Sequence, residues 1–235
     1  AVPVGAPNPG AVYECVRAGA FGAAEIDPFG GAGFDELAWK LSLAADARAD
    51  FPGIGASKTA AAVPIAAIGA STGGPGALAE ILSSLPEDFP GACAIVQHMD
   101  SEFSGGLAGW LAGRSALPVE IAEDSAVPAR GRAYVSRADA DLFISASGAF
   151  GYRAPGGEPF CPSIDFFFKS LAGYGRPGCA VLLTGMGGDG AAGLLSLRCA
   201  GWRTIAQDEA TSAVYGMPKL AAEMGAASEI LGADK

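Results

Sequence analysis

The chain has 235 residues, half of them apolar and 17% charged, with a formal net charge of −10. That length buries a sizeable core as one generous domain, or as one domain plus an attachment, and the composition excludes a disordered chain. The acidity, with no basic run or basic helix, argues against nucleic-acid binding, because neutralising phosphates takes concentrated Lys and Arg.

Residues 1–48 are short apolar pieces interrupted by NPG and DPFGGAGF. Two of the pieces, PGAVYECVRAGAF and FDELAWKLSLAADARA, carry helical spacing, the second with Asp35 and Glu36 near its start and Arg48 at its end. Residues 49–62, with FPGIGASKTAA, read as a linker. The first residues, AVPVGAPNPG, lack the basic and apolar parts of a signal peptide. From Thr59 to Ala79 the chain is uncharged, but Pro64, Pro75 and the turn GASTGGPG break the run. No membrane insertion is expected.

From residue 63 to 235 apolar runs alternate with Gly-punctuated helical segments, which predicts βα units on a mainly parallel sheet. Strands are expected at AVPIAAIG, CAIVQH, PVEIAE, CAVLLTG, RTIAQ and SEIL. Helices are expected at PGALAEILSSL, FSGGLAGWLAG, SIDFFFKSLAGY, GAAGLLSLRCA and MPKLAAEM. The pieces RAYVS, DLFISAS and GAFGYR read as a small antiparallel excursion. The expected class is α/β, a doubly wound sheet with helices on both faces.

Functional groups in such folds gather where strands end at their carboxyl side. The first predicted strand ends in Gly69-Ala70-Ser71-Thr72-Gly73, a G-x-S-x-G turn. It lifts Ser71 clear of the sheet as a nucleophile, or serves as a helix cap. The second ends at His98, the only histidine of the chain and so the only imidazole base for a serine. A later one ends in LLTGMGGDGAAG, where Asp189 either satisfies a helix N-terminus or orients the imidazole of His98. Met186, Gly187 and Gly188 offer backbone N–H groups to an oxyanion. Three strand ends that present Ser, the sole His and an Asp favour a serine hydrolase over three independent structural roles. The order Ser, His, Asp differs from that of α/β-hydrolases. The five cysteines are odd in number, widely spaced and without a C-x-x-C pair, which suggests neither disulfides nor zinc and fits a reducing cytoplasm.

AIGASTGGPGAL, IVQHM, LLTGMGGDGAAGL, TIAQDEA and YGMPKLAAEMGAASEI, in this order, resemble the catalytic domain of the chemotaxis protein-glutamate methylesterases, the CheB family. The resemblance runs from about Val63 to Leu231. It implies a hydrolase that removes methyl groups from glutamate methyl esters on methyl-accepting chemoreceptors, releases methanol, and in many members deamidates receptor glutamines. Ser71 is then the nucleophile, His98 the general base and Asp189 its orienting partner, with Thr72 and Met186 where the family stabilises the oxyanion. No metal or cofactor is implied.

Two segments depart from the family pattern. SRADADLF stands where Pro-Gly-Asp-x-His is usual, and GGEPFCPSIDFFF where an Asn-Arg-His-Arg-Pro-Ser-Val-Asp type of segment is expected. Residues 1–48 resemble the last part of a receiver domain, with Asp27-Pro28 in place of a Lys-Pro pair and no phosphoacceptor cluster. Two rival readings follow. One is a catalytically inert relative that binds a signalling protein; the other is an anion- or nucleotide-binding module, which lacks a G-x-x-x-x-G-K-[ST] loop.

Overall fold

The structure is a computed structural model that describes residues 63–156, 160–174 and 178–233. The receiver-like remnant expected at 1–48 and the linker at 49–62 lie outside the described residues.

The first strand, β1 (Ile65–Ala70), is small and β-branched and almost wholly buried, as a strand covered on both faces must be. It leads into α1 (Gly74–Ser84), whose buried Gly74, Ala77, Leu78 and Leu82 repeat at helical spacing and whose second residue is Pro75. All six residues of β2 (Ala92–Gln97) are buried. A short 3₁₀ turn then precedes α2 (Ser104–Ala112), followed by β3 (Val119–Ile121) and β4 (Arg132–Val135). The hairpin β5 (Asp141–Ile144) and β6 (Phe150–Arg153) leads to α3 (Ile164–Leu171). The chain closes with β7 (Cys179–Leu182), α4 (Ala191–Cys199), β8 (Arg203–Gln207), α5 (Met217–Glu223) and β9 (Glu229–Leu231).

Seven strands form one sheet in the order β3-β4-β2-β1-β7-β8-β9, every pair parallel. One face carries α1 and α2 over a core of Leu78, Leu82, Ile95, Leu107, Leu111 and Val135. On the other, α3, α4 and α5 pack together against the central strands, with the β5–β6 hairpin against α3. The chain leaves β1 towards β2 and returns on the other side at β7, so the strand order reverses between β1 and β7 and opens a crevice at their carboxyl ends. The expected doubly wound sheet is present.

One assignment changes. RAYVS is not part of the antiparallel excursion: β4 pairs with both β2 and β3 in the main parallel sheet, and only β5 and β6 are antiparallel. Its last three residues are buried, and a strand buried to that degree belongs inside a sheet rather than in an excursion.

The helices α3 and α4 meet at Gly193. A Cβ there would lie 2.7 Å from the Phe168 Cβ and 2.8 Å from the Asp165 carbonyl. Ala raises intrinsic helix propensity by about 1 kcal/mol over Gly, but overpacking of this kind costs about 1–3 kcal/mol. Gly193→Ala is therefore expected to lower the thermal midpoint despite its better propensity, as read by circular dichroism melting.

Candidate active site

Ladder register sets the site. Ala70 of β1 pairs with Gln97 of β2, so Ser71 and His98 lie side by side one rung further on, and the His98 N–H donates to the Ala70 carbonyl at 3.0 Å. On the other flank the Ser71 N–H donates to the Thr184 carbonyl at 3.0 Å. The three central strands β7, β1 and β2 thus deliver Thr184, Ser71 and His98 to one edge of the sheet.

The turn after β1 needs its glycines. Gly73, the N-cap of α1, has φ 82°, and Gly74 leaves no room for a Cβ, which would lie 2.8 Å from that of Ala70. The Gly74 N–H closes the turn on the Ser71 carbonyl at 2.8 Å. Gln97, a buried residue that sequence reasoning passed over, donates from Nε2 to the carbonyls of both Ser71 and His98, each at 2.9 Å. One amide therefore fixes the backbone on either side of the crevice. Thr184 was passed over too: its hydroxyl donates to the Thr72 carbonyl at 2.9 Å, and its N–H is held by Gln207 at 2.8 Å. A buried amide at the carboxyl end of a strand is the signal that would have found both glutamines.

His98 Nε2 and Asp189 Oδ2 are 2.8 Å apart, with side chains 11% and 7% exposed. An ionised carboxylate only accepts, so it is Nε2 that donates its proton to Oδ2. Asp189 is itself gripped by the start of α3. The Ile164 N–H donates to Oδ2 at 2.7 Å, the Asp165 N–H to Oδ1 at 3.0 Å, and the Ser163 hydroxyl to Oδ1 at 3.4 Å. Burial alone would push this carboxyl up; the donors from His98, Asp165 and Ile164 outweigh it and hold it below the usual carboxylate range. The expectation that Asp189 sits at a helix N-terminus holds with a difference: the helix it satisfies is α3, across the crevice, not α4, which follows it.

Asp165 returns the exchange by accepting from the Gly193 N–H in the first turn of α4 at 2.6 Å. Burial and the neighbouring Asp189 charge push its carboxyl from an ordinary 3.8 up to about 6. The ring of Phe160 stacks on the His98 imidazole, centroids 5.0 Å apart and planes 12° from parallel.

Thr72 is exposed in the turn after Ser71, and Met186 is 70% exposed in the bend after Gly185, a residue so close to Ser71 that a Cβ on it would lie 2.7 Å from that of the serine. Among the described residues neither the Thr72 nor the Met186 N–H has an intramolecular acceptor. The structure thus brings His98 and Asp189 into contact and sets Ser71, Thr72 and Met186 around the same crevice. It does not join the Ser71 hydroxyl to Nδ1, for which no hydrogen bond forms among the described residues. Among the described residues no group of three or more His, Cys, Asp or Glu could hold a metal, and no helix is long and apolar enough to cross a membrane.

A family model for the CheB methylesterase matches residues 66–235. The chain is 46% identical over 243 aligned residues to a protein-glutamate methylesterase/protein-glutamine glutaminase 2 of Burkholderia lata, with 95% of this chain and 69% of that protein covered. It is 48% identical to a protein of the same name from Burkholderia orbicola, over 94% of this chain and 69% of the other. The crystal structure of the Thermotoga maritima CheB methylesterase catalytic domain superposes with a TM-score of 0.71 at 37% identity, covering 74% of this chain and 95% of that one.

The Asp165 shift has a measurable sign. A carboxyl whose value rises on folding contributes stability that is complete below its unfolded value and is lost as pH climbs through the folded one. The window here runs from about pH 4 to about pH 6. Asp165→Asn keeps an acceptor for Gly193 and removes the ionisation, so thermal midpoints measured across that window are expected to fall less in the variant than in the wild type.

Proposed function

Since the chain belongs to the CheB methylesterase family, we propose that it demethylates γ-glutamyl methyl esters on methyl-accepting chemoreceptors, releasing methanol, and deamidates receptor glutamines at the same site. The observation that carries this reading is the buried His98–Asp189 pair one rung from Ser71, in the crevice where the strand order reverses. Two activities at one centre are consistent chemically, because ester and primary amide pass through the same acyl-enzyme. The names of the relatives, which join methylesterase to glutaminase, support that pairing. The reading of an inert relative loses its ground, since each relative is named as an enzyme.

In the proposed cycle Ser71 Oγ attacks the ester carbonyl carbon while its proton passes to His98 Nδ1. The N–H groups of Thr72 and Met186 receive the oxyanion, a stabilisation worth about 3 kcal/mol per donor in related chemistry. Asp189 holds the ring by Nε2 and stabilises its cation without taking the proton. Nδ1 then returns the proton to the departing methoxide, and methanol leaves. Water, deprotonated by Nδ1, attacks the acyl-enzyme, and Ser71 is released with a glutamate carboxylate on the receptor. Deamidation follows the same path with ammonia as the leaving group. The proposed site of action is the cytoplasm, with the domain at 63–235 carrying the chemistry and no cofactor taking part.

Methanol release from methylated chemoreceptor membranes tests the reading. Wild type is expected to release it, and Ser71→Ala to lose about four orders of magnitude or more of the rate. Asp189→Asn is expected to lose about 10⁴-fold, since an amide that turns its NH₂ to Nε2 favours the wrong tautomer. A folded wild type that releases no methanol, or a Ser71→Ala variant as active as wild type, would overturn it.

A further inference from the structure

The imidazole of His98 has one side-chain hydrogen-bond partner among the described residues, Asp189. A single bond at Nε2 fixes one corner of a planar ring but leaves the ring free to turn about that bond. Nδ1, the nitrogen that must face the serine, is then unplaced. A second constraint is needed, and the structure supplies one: the Phe160 ring lies 12° from parallel over the imidazole at a centroid separation of 5.0 Å. A face-stacked plane restricts the rotation that the hydrogen bond allows.

Phe160 is placed for this. On one side the bend at Gly187, with φ 89°, passes so close that a Cβ there would touch the ring at 3.5 Å. On the other, the chain continues through Cys161 and Pro162 into Ser163, the N-cap of α3. A six-residue run, Phe160 to Asp165, therefore contacts both partners of the His98–Asp189 hydrogen bond: Phe160 the imidazole, and Ser163, Ile164 and Asp165 the carboxylate. Phe160 is still 38% exposed, which a residue serving only the core would not be.

We propose that Phe160 is a positioning residue: its ring is the platform that sets the plane of the His98 imidazole so that Nδ1 faces Ser71 while Nε2 stays on Asp189. The proposal rests on the functional reading above for its kinetic consequence, but not for its structural one.

Because His98 is the only histidine, its ring protons give one set of resonances without assignment by mutation, and a stacked phenyl shifts them upfield. Phe160→Ala is expected to move those resonances back towards the values of an unstacked histidine. It should also lower kcat for methanol release about ten- to a hundredfold, with KM changed less than about threefold, since substrate binding is not what the ring serves. Phe160→Tyr, which keeps the plane, should retain wild-type rate and shifts; Phe160→Leu, apolar but not planar, should behave like the Ala variant. Circular dichroism confirms that each variant is folded, and if the Ala variant is not, the Tyr and Leu pair carries the comparison. Wild-type His98 shifts that match an unstacked histidine would overturn the proposal, as would a Leu variant as fast as the Tyr variant. If wild type releases no methanol, the functional reading falls, and the ring shifts still decide whether the platform exists.

Discussion

The Asp189 carboxylate does three jobs with two oxygens. It accepts from His98, it receives the N–H groups and hydroxyl that open α3, and through that helix it meets Asp165, which receives the first turn of α4. Each helix is thus satisfied by an acidic side chain that belongs to the other's neighbourhood, and the two helices are locked start to start. The hydrogen bond from His98 and the N–H groups that open α3 together outweigh burial and hold the Asp189 carboxyl below the usual carboxylate range. Burial and the like charge of Asp189 push the second carboxyl, Asp165, up to about 6.

Much of this architecture is legible in the sequence because parallel strands buried on both faces cannot hide. IAAIGA, ACAIVQ and CAVL are short and mainly apolar, and the chain just beyond them turns polar at Ser71, His98 and Thr184. The positions of Ser71, His98 and Asp189 follow once the strand ends are known. RAYVS was less legible: its short run resembles the hairpin strands that follow it, and only pairing with β2 and β3 settles its place. A strand of four residues carries too little periodicity to declare its neighbours.

The partners of the supporting groups were hidden for another reason. Gln97, Gln207 and Thr184 act through backbone carbonyls and amides of residues that register brings close, and nothing in a one-dimensional pattern shows whose carbonyl an amide will meet. Phe160 belongs to the same class. Its segment stood out only as a departure from the family pattern, yet that run reaches both partners of the His98–Asp189 hydrogen bond.

The crossovers that build the sheet have a consequence for the life of the protein before it is finished. His98 and Asp189 lie ninety-one positions apart, and the strands that carry them are separated in the sheet by β1. Contacts of such long range form late, after the loop entropy between them has been met. A nascent or partly unfolded chain therefore holds Ser71 and His98 before Asp189 is in place, and on the proposed mechanism the site is complete only once β7 has joined β1. On that mechanism, the order of the strands ties the onset of ester cleavage to the completion of the central sheet.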